Sequence, residues 1–562
     1  MKKLLLSTLL TGAVTTQMFA TADIQIVHNA ADPAAAEVDV YLGAALILDD
    51  FAFRTATEFL TVPSGIEITV SVAPSTSTSV ADAIASFSYT LEDGQRYIAV
   101  ANGVLNPALF AANPEGAATA FNILVKADVM EAAGTPGNVD FFVLHGATDA
   151  PAVNVFARGV AQLVTGAEYT NFTDYISVPA GSYIVDITPA GAVIPVVAAF
   201  TADLSGLGGG TAAVLASGFL NPAANQDGPA FALIAVLNDG TVITLPAAPT
   251  ATLQVIHNSA DPAAAEVDVY IAGVKTVDNF AFRTATPALN IPSGVPVSIG
   301  IAPGTSMDAG DIIATFDITF DDNETYVALA NGVLDPGMFA VNPDGNSTAF
   351  TLFSAADIRL TANDPTKVEF IAVHGATDAP TVDVRVGGTE LVNDAAYGDI
   401  TGYVAVDPAV YTLDVTTPDG AVTVASYAAD LSGLTGGTAV VFASGFLDPM
   451  ANNDGEAFGL FAALTDGTVV PFNAITVDIE NTPVLDGLSV YPNPASSSIQ
   501  INNNNAAGFV TNIYSIDGRL MLNTFAAPGV NSVDISNLTS GLYTVVIADG
   551  AAVYTSKLSV IK

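Results

Sequence analysis

The sequence predicts an all-β protein: four tandem immunoglobulin-like β-sandwich units in the order A-B-A-B, followed by a small C-terminal β-sandwich. Three observations carry that expectation. The chain repeats itself, with residues 24–57 and 253–286 agreeing at 22 of 34 positions at an offset of 229. Each repeat is itself double, because the four histidines fall in related contexts at spacings of 117, 112 and 117, each with an aspartate four residues on. Each unit also holds several short apolar runs with in-out alternation, cut by Asp-Pro, Pro-Ser-Gly and Asp-Gly turn signals. Self-similarity at a long period marks a repeat architecture, and many short strands per unit mark a sandwich.

Taken in order, residues 1–22 read as a secretory signal. Lys2 and Lys3 give a positive start, Leu4 to Val14 a short apolar stretch, and Ala20-Thr21-Ala22 the small residues of a cleavage site. A membrane anchor needs about 18 or more apolar residues. Neither this stretch nor any later one qualifies, so no transmembrane segment is expected. Unit A1 then spans 23–130, B1 138–247, A2 251–360 and B2 366–472, with 473–485 as a linker. In A1 the strand-like runs are Ile24 to His28, Val38 to Leu42, Ile66 to Ala73, Ala85 to Leu91, Tyr97 to Asn102 and Phe121 to Lys126. A second signature follows the same repeat: Asn102-Gly103-Val104-Leu105-Asn106-Pro107, with counterparts at 217–222, 331–336 and 444–449. An outer-membrane barrel would want about ten-residue amphipathic strands and aromatic girdles instead of separate units.

These units resemble the bacterial domain-of-unknown-function family numbered 4397. The pattern His-x-x-x-Asp-x-Pro-x-Val-x-Val, then Val-Pro-x-Gly, fits best in the B units, from His145 to Val153 with Val178 to Gly181, and from His374 to Val382. The A units instead carry Asp32-Pro33-Ala34-Ala35-Ala36-Glu37-Val38, and the last unit turns at Val406-Asp407-Pro408-Ala409. The resemblance implies extracellular β-sandwich modules and brings no established activity.

The segment 486–562 differs in composition. It has four acids and three bases, whereas the whole chain has 56 acids, 14 bases and a net charge of −42. Nearly all the charge therefore lies in the four units. The segment resembles the C-terminal sorting domain (type A) of the type IX secretion system, found in one phylum of Gram-negative bacteria. The matching pieces are Tyr491-Pro492-Asn493-Pro494, Asp517-Gly518-Arg519, the run from Ile535 to Tyr543 that includes Gly541, and the run from Lys557 to Lys562. That resemblance implies engagement of the secretion machinery, export across the outer membrane, removal of the tail, and either attachment to surface lipopolysaccharide or release.

Composition excludes several chemistries. With no cysteine there is no disulfide framework, thiolate metal site or cysteine nucleophile. Few, scattered bases exclude nucleic acid as a partner. An apolar fraction of 51% excludes a disordered chain.

The candidate site residues are the recurring pairs His28 with Asp32, His145 with Asp149, His257 with Asp261, and His374 with Asp378. Such a pair can supply two metal ligands, or a base and the carboxylate that orients it. At a strand end it can equally fix the following turn. No third ligand stands at a telling spacing, and Asn154 occupies the place that Asp39, Asp268 and Asp383 take in the other units. Asp321, Asp322, Asp344 and Asp454, in acid-rich turns, are candidates for structural Ca²⁺, without the spacing of an EF-hand. Arg54 and Arg283, at matching places in the A units, are expected to pair with carboxylates.

The function expected is a non-enzymatic adhesive or structural role on the cell surface or outside it, with extracellular glycan or matrix as partners. The alternative is a glycan-binding protein for polysaccharide capture. Without tryptophan, its stacking platform would fall to the 16 tyrosines. A hydrolase has least support, since no Gly-x-Ser-x-Gly elbow stands out.

Overall fold

Alternating segments become strands wherever turn residues bound them. The computed structural model describes residues 20–475, 485–515, 519–549 and 552–562. Residues 1–19 of the expected signal, 476–484 of the expected linker, and 516–518, Gly518 included, lie outside the described residues. The chain divides into two compact units, Met1–Asn473 and Ala474–Lys562.

In A1 the strands are β1 (Thr21–His28), β2 (Glu37–Leu42), β3 (Ala45–Ala52), β4 (Leu60–Pro63), β5 (Glu67–Pro74), β6 (Ala85–Thr90), β7 (Arg96–Asn102) and β8 (Asn122–Lys126). They form two sheets, β4-β1-β7-β8 and β3-β2-β5-β6. β1 begins ahead of the expected cleavage point: Thr21 and Ala22 pair with Pro63 and Val62, so cleavage after Ala22 would remove two rungs. β1 and β7 run parallel, from Asp23 opposite Arg96 to His28 opposite Ala101. A parallel pair needs a long crossover, and here the whole second sheet lies within it. Parallel pairing also brings the ends of β1 and β7 to one tip. Lys126, which pairs with Ile98, ends β8 at the opposite end.

B1 repeats the plan with β9 (Asn138–Leu144), β10 (Val153–Ala157), β11 (Ala161–Ala167), β12 (Ile176–Pro179), β13 (Ser182–Pro189), β14 (Ala198–Asp203), β15 (Thr211–Ser217), β16 (Ala232–Leu237) and β17 (Val242–Thr244). Its sheets are β12-β9-β15-β16-β17 and β11-β10-β13-β14, with β9 and β15 parallel. A2 and B2 keep the parallel pair, Thr252 opposite Thr325 and Glu369 opposite Thr438.

The A and B sandwiches are not separate beads. Val27, Ile98 and Val100 on the β4-β1-β7-β8 sheet share one core with Phe142, Leu144, Leu215, Ile234 and Val236 of B1. Ile256, Val327 and Leu329 meet Ile371, Val373, Val440 and Phe442 in the same way. Each A-B pair is thus a module of four stacked sheets. Its inner strands are buried on both faces, which is why segments such as Ile98 to Ala101 are apolar without alternation. The two modules are joined as firmly. Ile194, from a B1 loop, sits in the A2 core, and Val196 N–H donates to Asn290 O at 2.8 Å. Arg158 forms a buried ion pair with Asp186, Nη2 to Oδ1 at 2.6 Å, while its Nη1 donates to Pro249 O at 2.9 Å and Ser293 Oγ at 3.2 Å.

The C-terminal unit is a second kind of sandwich. One sheet holds Leu488–Tyr491, Ser498–Asn503 and Gly529–Asp534; the other holds Leu520–Ala526, Phe509–Ser515, Gly541–Asp549 and Ala552–Val560. Ile499, Ile501, Ile513, Ile535, Val545, Ile547 and Leu558 fill the space between.

Candidate functional site

The tip where β1 and β7 end carries both recurring signatures. His28 is fully buried. Its Nε2–H donates to Ala35 O at 2.7 Å, and Nδ1 accepts from Ala30 N–H at 3.4 Å, a pattern that assigns the neutral tautomer. Asp32 takes other partners: Oδ1 accepts from Ala34 N–H at 2.9 Å, capping the turn Pro33–Ala35, and Oδ2 accepts from Leu105 N–H at 2.8 Å. His257 and Asp261 repeat this with Ala264 O, Ala263 N–H and Leu334 N–H.

In the B units, His145 and His374 bond Pro151 O and Pro380 O. Asp149 takes Leu220 N–H, Asn221 N–H and Asn225 Nδ2, each at 2.8 Å. Asp378 takes Leu447 N–H, Asp448 N–H and Asn452 Nδ2, each at 2.9 Å. The aspartate of the first signature therefore fastens the backbone of the second, about 70 residues on by these bonds.

Burial pushes His28 and His257 down to about 4, because desolvation of the charged ring outweighs the carbonyl that would favour it. His145 and His374 shift the same way for the same reason. In His28 and His257 both ring nitrogens are already taken up by backbone groups, which leaves neither free for a metal or a substrate's proton.

Glycine in the second signature is required by space. Gly103 has φ +94°, and a Cβ there would lie 2.7 Å from the carbonyl oxygens of Thr119 and Ala120. The residue after next is turned outward: Leu105, Leu220, Leu334 and Leu447 are all exposed, as are Leu109, Met338 and Met450 in the following turns, the last at 87%. Phe110 stacks on Phe219 at 5.6 Å, and Ala111 N–H donates to Asn225 Oδ1 at 3.0 Å, so the A and B tips form one surface. Phe339 with Phe446 and Ala340 with Asn452 do the same in the second module.

The bases work as internal staples. Arg54 reaches across the A-B interface to Ser217 Oγ and O, both at 3.0 Å, and to Ala230 O at 2.7 Å. The carboxylate partner expected for it is replaced by carbonyls. Arg283 bonds Ser444 and Ala457 likewise, with Glu456 at 3.7 Å as a loose addition.

Asp39 and its counterparts do not approach the histidines. Each plugs a β-bulge, where the side-chain oxygen accepts the N–H of a residue with positive φ: Asp50 for Asp39, Gly166 for Asn154, Asn279 for Asp268 and Asp394 for Asp383. Three of the four acidic-turn candidates accept hydrogen bonds from neighbouring side chains or backbone. Asp322 accepts from Ser293 Oγ, Asp344 from Thr381, and Asp321 from Tyr326 at 3.4 Å. Asp454 has a left-handed φ of 53°. Among the described residues, the one group of three acids whose oxygens lie within 4.8 Å of one another is Asp39, Asp49 and Asp50.

The tail motifs, far apart in sequence, meet. Asn493 Nδ2 donates to Lys557 O at 2.6 Å and Oδ1 accepts from Ser559 N–H at 2.9 Å, clamping the loop of Tyr491, Pro492 and Pro494 onto the last strand. Tyr543 Oη donates to Thr539 O at 2.9 Å beside Gly541. Arg519 O accepts from Ser515 N–H at 2.9 Å.

Residues 489–562 match the family described as secretion system C-terminal sorting domain. Residues 22–142, 139–222 and 368–454, about half the chain, match the domain of unknown function DUF4397. No curated protein matches the sequence.

Among solved structures, a mixed-linkage glucan utilization locus protein, SGBP-B of Bacteroides ovatus, is 10% identical, covers 53% of this chain and 60% of its own, and has a TM-score of 0.10. PorZ, a surface component of the type IX secretion system of Porphyromonas gingivalis, is 12% identical over 90% of this chain and 80% of its own, with a TM-score of 0.14. The Bacillus anthracis TIE protein is 10% identical over 79% and 70%, with a TM-score of 0.11. Superpositions at such scores bear no weight on function. The sorting tail marks the protein for the type IX secretion machinery and for export to the cell surface or beyond.

Proposed function

We propose that this chain, which belongs to the DUF4397 family and ends in a secretion sorting domain, serves outside the cell as a non-enzymatic adhesive protein. The observation that carries the reading is the duplicated tip. Exposed aliphatic side chains recur at the same positions in both modules, Leu105, Leu109 and Leu220 in one, Leu334, Met338 and Leu447 in the other, on backbone fixed by buried aspartate bonds. Two rigid copies of one weak apolar contact gain affinity through effective concentration, by about 10² to 10⁴ where geometry allows both to engage. Burial of His28 and His257, with both ring nitrogens bonded to backbone, supports a role without catalysis. The glycan alternative has less support: among the described residues of 20–473, no Tyr or Phe is exposed as a stacking platform.

The test is binding of the secreted protein to immobilised matrix proteins and polysaccharides. Leu109→Glu or Met338→Glu alone should return the protein to single-site binding, a loss of about a hundredfold or more, and the two together should abolish binding. Unchanged binding in the double variant, or competition by soluble polysaccharide alone, would overturn the proposal.

A further inference from the structure

The four units can be compared at the plugged bulge, where they differ in charge. Asn154 is neutral, and its Nδ2 donates to Ala192 O at 3.1 Å. Asp268 Oδ2 receives Lys275 Nζ at 2.6 Å, and Asp383 Oδ2 receives Arg385 Nη2 at 2.9 Å. Asp39 is as buried as these, at 1% exposure, yet its Oδ2 receives a neutral hydroxyl, Ser77 Oγ at 2.5 Å. Among the described residues no base lies within ion-pair distance of it. Isolated buried carboxylates are strongly unfavourable, and three of four copies remove the charge or pair it.

The second A unit shows what occupies the place. Lys275 Nζ is held by three oxygens: Asp268 Oδ2 at 2.6 Å, Ser306 O at 2.8 Å and Asp278 Oδ1 at 3.0 Å. Shifting by the repeat offset, the counterparts are Asp39, Ser77 and Asp49, while Leu46 replaces Lys275 and Asp50 replaces Asn279. The first unit has therefore lost the ammonium and gained an acid at one and the same cage. Formal charge there is −3, against −1 in the second unit.

We infer that Asp39, Asp49 and Asp50 form a divalent-cation site of the Ca²⁺ class, taking in trans the positive charge that Lys275 supplies in its own unit. Carboxylate oxygens within 4.8 Å of one another suit a shared ion at about 2.3–2.6 Å from each. The Ser77 carbonyl and water would complete an all-oxygen shell of the kind Ca²⁺ takes, with less strict geometry than Mg²⁺ demands. The ion would tie β2 to β3 across the bulge.

The test titrates the metal-stripped secreted protein with CaCl₂ by calorimetry, and with TbCl₃ by luminescence sensitised through Tyr41, whose Oη lies 2.7 Å from Ser77 Oγ. One site in the range of extracellular modules, Kd about 10⁻⁴ to 10⁻³ M, is expected. Asp49→Asn or Asp50→Asn, both exposed, should raise Kd about tenfold or more. Leu46→Lys should abolish binding while the protein stays folded, and Lys275→Leu with Asn279→Asp should add a second site. Binding that survives Leu46→Lys, or none at about 10 mM Ca²⁺, would overturn the assignment.

Discussion

Acid should loosen this protein in a window set by its histidines. An unfolded histidine takes up a proton below pH 6.5, whereas folded His28 and His257 do so only near 4. Between those values the unfolded chain binds more protons, so stability falls as pH falls through the window. At pH 5 the difference comes to about 2 kcal/mol per ring, or about 4 kcal/mol for the two. Local geometry agrees with the sign: in both rings Nδ1 already accepts a backbone N–H, from Ala30 or Ser259, and a proton there would set two donors face to face.

The assay compares urea unfolding at pH 7 and pH 5, followed by tyrosine fluorescence, for the parent and for His28→Gln with His257→Gln. Glutamine can still donate to Ala35 O and Ala264 O. The pH-dependent loss of stability should shrink in the variant by about 4 kcal/mol. With four histidines in the chain, their Hε1 resonances can also be followed individually. A His28 signal that titrates near 6.5 in folded protein, or an identical pH dependence in the variant, would refute the reasoning.

Other outcomes are expected. Arg158→Ala strands Asp186 in a site where both side chains are under 4% exposed, so it should cost about 3–5 kcal/mol and separate the unfolding of the two modules into distinct transitions in urea. Arg54→Ala removes charged bonds to Ser217 and Ala230 across the A-B interface and should cost about 2–3 kcal/mol, read from the same melt. Deleting residues 486–562 should leave the protein in the periplasm, measured by cell fractionation; surface display of the truncated chain would contradict the sorting role.

The repeats, the all-β class and the sorting motifs were legible because each lies in local pattern. What escaped was nonlocal or broke the pattern. β3 was invisible because the bulge at Asp49 and Asp50 adds a residue and spoils period-two alternation. Aligning the four units on Asp50, Gly166, Asn279 and Asp394, residue types that tolerate a left-handed conformation, would have located it. The back-to-back sheets were hidden for a related reason. A strand buried on both faces reads simply as apolar, and nothing in Tyr97 to Ala101 says which neighbour covers the outer face. The histidines and aspartates were found as a repeating pair, but their partners are spread between a neighbouring turn and a loop many residues away.

The seam between the two modules has a consequence for survival outside the cell. Proteases nick exposed, flexible chain, and a tandem duplication ordinarily offers such a place where its copies join. Here the connector is Leu245-Pro246-Ala247-Ala248-Pro249. Leu245 N–H donates to Leu233 O at 2.9 Å, Pro246 O accepts from Thr201 N–H at 2.8 Å, Ala248 N–H donates to Ala199 O at 2.8 Å, and Pro249 O is held by Arg158. With every stretch pinned and two prolines in five residues, the repeat boundary that is plainest in the sequence should be among the last places a digestive enzyme cuts.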